Sequence, residues 1–254
     1  MILIISPSKT QDSRCLPYPH FTVPFMLEQS QKLIDELKEF NPQQIAELMG
    51  VSDKLAQQNW KRFQDFTVPF DLKNAKQALL TFKGDVFSPI DVEAYTDEDF
   101  SFAQDHVRIL SGLYGILRPL DLIQPYRLEM GIKSGFANAK NLYEFWSTRV
   151  TAALQKDLAR LSQAVLVNLA SDEYFKVIQP HGISAPILKI SFKENKGGTY
   201  KVVAIHAKRA RGLMIHFAVI NRLENVQDLK TFDLEGYQFN GRLSADREWV
   251  FCRD

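Results

Sequence analysis

Leu169-Ala170-Ser171-Asp172-Glu173-Tyr174 passes from an apolar run into a polar one and puts a hydroxyl, two adjacent carboxylates and a phenol side by side. Carboxylates at the end of a buried strand suit general acid–base work or the holding of a cation. The same residues also make an ordinary helix start, with Ser171 as N-cap and acids in a first turn where the helix dipole favours them. Lys9 leaves a second apolar run through Ser6-Pro7-Ser8-Lys9-Thr10. A cation just past a strand end is well placed to face a ligand, although an exposed loop lysine has the same sequence. Ser6 to Lys9 also matches the Ser-x-x-Lys spacing of a serine nucleophile. That chemistry needs Ser-Asp-Asn and Lys-Thr-Gly companions, and neither is in the chain.

Two further segments bear on anions. In Ala207-Lys208-Arg209-Ala210-Arg211-Gly212 a basic helix is expected to open at about Lys208, straight after a strand. Cations at a helix N-terminus oppose its dipole unless an anion sits there, so Lys208, Arg209 and Arg211 are phosphate candidates, with a surface salt-bridge network as the alternative. Leu48-Met49-Gly50-Val51-Ser52-Asp53-Lys54-Leu55-Ala56 is similar to the helix-hairpin-helix signature, with Met49 and Ser52 standing where that pattern carries Pro and Gly. Such a hairpin offers backbone N–H groups, here those of Gly50, Val51 and Ser52, to a phosphate oxygen without reading base sequence. Lys54 would add charge. A plain helical hairpin with Gly50 as C-cap gives the same pattern.

Around these segments the composition is that of a globular chain: 254 residues, 45% hydrophobic, 24% charged, net charge +1. Collagen-like and disordered classes are excluded, and no apolar run is long enough to span a membrane. Two cysteines, Cys15 and Cys252, and five histidines show no metal-ligand spacing. No metal or cofactor is called for, and a reduced, cytoplasmic setting is expected. The charge is segregated: residues 195–223 carry six basic and no acidic side chains, residues 84–105 seven acidic and no basic ones. A local basic field can attract an anion whatever the total.

The elements that must position these residues alternate without a strict βαβ rhythm. Apolar runs at 2–5, 164–169 and 249–252 read as buried strands. Helical spacing recurs over about 25–40, 41–49, 52–64 and 141–161. Asn41-Pro42, Asp71, Thr96 and Ser171 read as caps. Asn195-Lys196-Gly197-Gly198 is a hairpin turn between strands at 187–192 and 199–206. The fold class is therefore α+β: one compact body over residues 1–254, with a central mixed sheet, surrounding helices and a helix-hairpin-helix subregion at about 41–66.

Six segments together resemble the YaaA peroxide-stress family over almost the whole chain: Ile5 to Thr10, Phe82 to Phe87, Leu110 to Asp121, Gln124 to Gly131, Asn168 to Lys176 and Ala207 to Gly212. The resemblance implies protection of DNA and proteins during peroxide stress, with lower free intracellular iron, and binding of double-stranded or distorted DNA without marked sequence preference. It implies no membrane, no obligate protein partner and no established catalytic residue. On that basis Gly50, Val51, Ser52, Lys54, Lys208, Arg209 and Arg211 are the expected DNA contacts. An enzyme acting on damaged nucleic acid or another phosphorylated substrate is the alternative, with Lys9, Asp172, Glu173 and Tyr174 as its candidates. Direct iron sequestration by oxygen ligands such as Asp85, Asp172 and Glu173 ranks third.

Overall fold

Ile2–Ile5 has no polar alternation, the pattern of a strand covered on both faces inside a parallel sheet, and all four residues are buried. The computed structural model describes residues 1–12, 14 and 18–254; Cys15 lies outside the described residues. In chain order the elements begin with β1 (Ile2–Ile5), α1 (Leu27–Lys38), α2 (Pro42–Met49), α3 (Asp53–Gln64), β2 (Lys76–Gln77), α4 (Ala78–Thr81) and α5 (Asp97–His106). Then come β3 (Val107–Ser111), β4 (Gly115–Leu117), β5 (Leu122–Ile123), α6 (Leu142–Leu158), β6 (Leu166–Asn168) and α7 (Asp172–Phe175). The chain continues with β7 (Ile187–Lys196), β8 (Thr199–Lys201), α8 (Ala204–Ile220), β9 (Gln238–Phe239) and β10 (Glu248–Arg253).

The fold is α+β, built on an eight-stranded mixed sheet in the order β4-β3-β1-β6-β7-β10-β9, with β8 paired to β7. Its centre is parallel: β1 lies between β3 and β6, with Ile4 opposite both Arg108 and Asn168. β6 pairs with β7, and β7 with β10, also in parallel. One apolar core runs from Met1 to Phe251 and takes in Ile45, Ala56 and Phe63 of α2 and α3. Cys252, on β10, is buried within the sheet.

The helix starts follow the expected chemistry at three places. Asn41 and Gln44 form a reciprocal capping box with Pro42 in the first turn, and Thr96 and Asp99 form another. Ser171 Oγ accepts the Tyr174 N–H at 3.5 Å as the N-cap of α7, and Asn141, not among the expected caps, accepts the Glu144 N–H at 3.0 Å. Asp71 differs: it accepts the N–H groups of Lys73 and Asn74 and closes a turn, because strand pairing at Lys76 comes too soon for a helix. The segment expected as a strand over 199–206 also differs. β8 stops at Lys201, opposite Glu194, and α8 has begun by Ala204, so His206 is helical. β10 occupies the other edge of β7 through Glu194, so β8 must share the edge that β6 uses further down. Extending β8 would run it toward the end of β6, and the chain turns away instead.

Close packing fixes the path between β3 and α6. A Cβ on Gly112 would lie 2.1 Å from the Leu128 carbonyl oxygen, and one on Gly115 would lie 2.6 Å from the Trp146 ring. The Trp146 indole N–H donates to the Gly112 carbonyl at 2.8 Å. The Gly112 approach lays residues 126–131 against the end of β3. Gly112→Ala should cost roughly 3 kcal/mol, because backbone rather than a flexible side chain must give way. Thermal unfolding should then fall by on the order of 6–12 °C. A variant that melts with the wild type would show that the 126–131 segment is not held there.

Candidate functional site

β1 sends its chain toward β3, and β6 sends its chain the other way toward β7, although the two strands are neighbours. In an open parallel sheet such a switch point leaves a crevice outside the carboxyl ends of the strands. Ser6 to Lys9 come after β1 there, and Ser171 to Tyr174 come after β6. The two loops are stitched together: Ser6 Oγ donates to Ser171 Oγ at 3.2 Å and accepts the Ser171 N–H at 2.9 Å. Ser6 is thus a structural link, and Lys9 is turned to a different partner.

Lys9 Nζ lies 2.9 Å from Glu129 Oε1, and Arg127 reaches the same oxygen at 3.0 Å through Nη2 and 3.1 Å through Nε. Burial would push the Glu129 carboxyl up, but the hydrogen bonds and charges of Lys9 and Arg127 outweigh it and hold the group below the usual range. Its other oxygen, Oε2, is buried with no hydrogen-bond partner among the described residues. Beside it is a cavity of about 50 Å³ lined in part by Ser8, Lys9, Gln11, Tyr126, Glu129 and Tyr174. Tyr126 shares a 2.6 Å hydrogen bond with Ser111 at the end of β3, and burial pushes its phenol well above the ordinary value.

The other walls are equally close. A Cβ on Gly84 would meet Ser8 Oγ at 3.0 Å, and one on Gly131 would meet Glu173 Oε1 at 3.2 Å. Glu173 Oε1 accepts the Gly131 N–H at 3.0 Å. Gly212 of α8 packs on the Val86 carbonyl so tightly that no Cβ fits between them. Burial lowers the pKa of the Arg211 guanidinium, against the opposing charge of Asp172, and its Nε has no partner among the described residues. Six chain segments, 5–10, 82–87, 110–121, 124–131, 168–176 and 207–212, therefore meet around one set of strand ends.

The expected site residues fall into two groups. Lys9 and Tyr174 line the cavity, and Glu173 braces its rim through Gly131. The Asp172 side chain is 93% exposed, with Lys189 Nζ 3.8 Å away. Arg211 is near enough to Asp172 to feel its charge, with no ion pair between them. Because α8 starts at Ala204, however, Lys208, Arg209 and Arg211 lie beyond its first turn, and the positive end of the helix dipole does not oppose them. Arg209 is engaged by Glu235 at 2.6 Å. Lys208 is exposed and makes no ion pair among the described residues. The charge segregation is partly matched inside the molecule, since Arg222, just past the end of α8, pairs with Asp99 of α5 at 2.9 Å.

Gly50, Val51, Ser52 and Lys54 belong instead to the α2–α3 hairpin, whose helices pack on each other and, through α3, on α1. Gly50 is left-handed at φ 59°, and its N–H and that of Val51 both donate to the Ala46 carbonyl. Those two groups are therefore already used. Ser52 stands at the N-cap of α3 with its side chain making no capping bond, and the N–H groups of Ser52, Asp53, Lys54 and Leu55 have no partner among the described residues. No three His, Cys, Asp or Glu side chains among the described residues stand together as a metal site, so Asp85, Asp172 and Glu173 are not assembled as iron ligands.

Glu129 and Arg127 fall within the Gln124 to Gly131 segment but are not among the candidate site residues read from the sequence. Their signal is an Arg-x-Glu pair, which shares one side of an extended chain, and a lone acid between Leu128 and Met130. The family described as peroxide stress protein YaaA matches residues 1–243. The chain belongs to that family. A UPF0246 protein of Acaryochloris marina is 55% identical over 254 residues, covering all of both chains. UPF0246 proteins of Colwellia psychrerythraea and Cellvibrio japonicus are 49% and 48% identical over all of this chain and 99% of theirs. The six segments that meet at the strand ends are the ones that carry the resemblance to the peroxide-stress family.

The depressed Glu129 carboxyl makes stability depend on pH in a defined direction. Its ion pairs stabilise the fold above the unfolded-state glutamate value of roughly 4.3, and that contribution is lost as pH falls through the lower folded value. Glu129→Gln should therefore be less stable than wild type at about pH 7, with the difference shrinking as pH approaches about 3. Chemical denaturation across that range measures it, and a pH-independent difference would contradict the assignment.

Proposed function

We propose that the protein acts in peroxide stress by binding double-stranded or distorted DNA without sequence preference, through the α2–α3 hairpin. One observation carries this reading. Ser52 to Leu55 present a run of N–H groups, unpaired among the described residues, at the start of a twelve-residue helix. Beside it, the left-handed Gly50 has nothing within 4 Å of where a Cβ would stand. A phosphate oxygen can approach that backbone closely, and the helix dipole favours it. Lys54 and Lys61 are exposed and form no ion pair among the described residues, which suits a sequence-independent grip on a phosphodiester backbone. Asp53 opposes an anion at the same turn and limits affinity. Lys208, exposed on α8, is the cation of the basic helix available for a second backbone contact. Coverage of DNA in the cytoplasm would limit oxidative damage there, and lower free intracellular iron is the linked effect.

Fluorescence anisotropy with a labelled duplex over a salt series tests this directly. Log affinity should fall linearly with log salt and vary little with sequence, and Lys54→Ala should flatten the slope by about one unit. Gly50→Ala should cost roughly 1 kcal/mol from the left-handed backbone alone and should also weaken duplex binding in the folded protein. No binding at low salt ends the proposal. Unchanged binding by both variants would remove the hairpin from it.

A further inference from the structure

The crevice above β1 and β6 is built for more than holding the chain together. Glu129 is the decisive group. One carboxylate oxygen takes both Lys9 and Arg127, while Oε2 is buried beside a cavity and receives no donor from the described residues. A buried acceptor left empty costs on the order of 1–3 kcal/mol, more when charged, and such a group in a native fold calls for a partner. That partner is constrained by charge. Lys9 and Arg127 bring two positive charges to one negative, so a third cation on Oε2 would crowd like charges and a neutral N–H or O–H is favoured. The Lys9 side chain is 65% exposed at the mouth, and its ammonium has donors beyond the one given to Glu129. The surplus positive charge there suits an anion. Glu173 keeps its charge while accepting the Gly131 N–H, so the positive balance comes from Lys9, Arg127, Lys189 and Arg211 set against Glu129, Asp172 and Glu173.

We infer that this crevice is a binding site for a small phosphorylated ligand bearing a neutral hydrogen-bond donor: the donor enters the cavity to Glu129 Oε2 and the phosphate rests at the mouth on Lys9. The cavity, at about 50 Å³, admits only the donor end, so the phosphate stays at the exposed rim. A nucleotide, through a base N–H, and a sugar phosphate, through a hydroxyl, share this chemistry. An amino acid does not, because its ammonium would be the unfavourable third cation. The site is separate from the α2–α3 hairpin and does not depend on DNA binding there.

Isothermal titration of the full chain with the four deoxynucleoside 5′-monophosphates, ribose 5-phosphate and inorganic phosphate tests the assignment. Saturable binding is expected for a nucleotide or for ribose 5-phosphate, at least tenfold tighter than for phosphate alone. Preference between the first two tells whether a base edge or a sugar hydroxyl reaches Glu129. Glu129→Gln should lose that tenfold advantage, and Lys9→Met, with its folding checked by thermal melting because the change also removes one Glu129 ion pair, should weaken every phosphorylated ligand. Three results would overturn the inference. They are no saturable binding of any phosphorylated probe, phosphate binding as tightly as the larger ligands, and Lys9→Met binding as wild type does. Gly50→Ala, in the α2–α3 hairpin and outside the cavity lining, should titrate as wild type, which separates this site from the DNA reading.

Discussion

Two parallel neighbours whose chains leave in opposite directions cannot close the space above their own carboxyl ends. β1 and β6 are such a pair, and the space above them has to be furnished from elsewhere in the chain. The Ser6–Ser171 link ties the two loops at the base, the 126–131 segment is laid across by the Gly112 contact, and Gly212 brings α8 in against Val86. Each of these approaches needs a missing side chain or a small one. The sheet order thus sets the demand, and a few short contacts meet it.

Charge inside this opening is handled differently from charge on the surface. Glu129 is held ionised by two cations on one oxygen, which together outweigh the burial that opposes its charge. Arg209 and Glu235, by contrast, meet at a more open position, and Arg222 with Asp99 fastens the end of α8 to α5. The basic and acidic stretches that look in the sequence like two opposed surfaces are in part each other's counter-ions.

Local chemistry was legible where it was decided locally. Asn41-Pro42, Thr96 and Ser171 start helices because a group three residues away or closer completes each cap. Gly50 ends α2 in the left-handed conformation for the same kind of reason. Features that could not be read depended on partners distant in sequence. β8 is cut short by the edge that β6 already uses, and no property of residues 199–206 announces that. Glu129 matters because Lys9, far earlier in a different loop, faces it, and an isolated acid between apolar residues carries that message faintly. The free N–H run at Ser52 to Leu55 lies past the expected one, since the Gly50 turn consumes its own donors on Ala46.

The packing of β10 has a chemical side as well. Cys252 is buried at 7% exposure, and burial pushes its thiol above the ordinary value, with Lys193 opposing only in part. Peroxide oxidises the thiolate rather than the thiol, so a cysteine kept protonated and covered reacts slowly. In a family defined by peroxide stress, the last long strand of the sheet doubles as a shield. Its sulfur becomes reactive only when a local opening uncovers it.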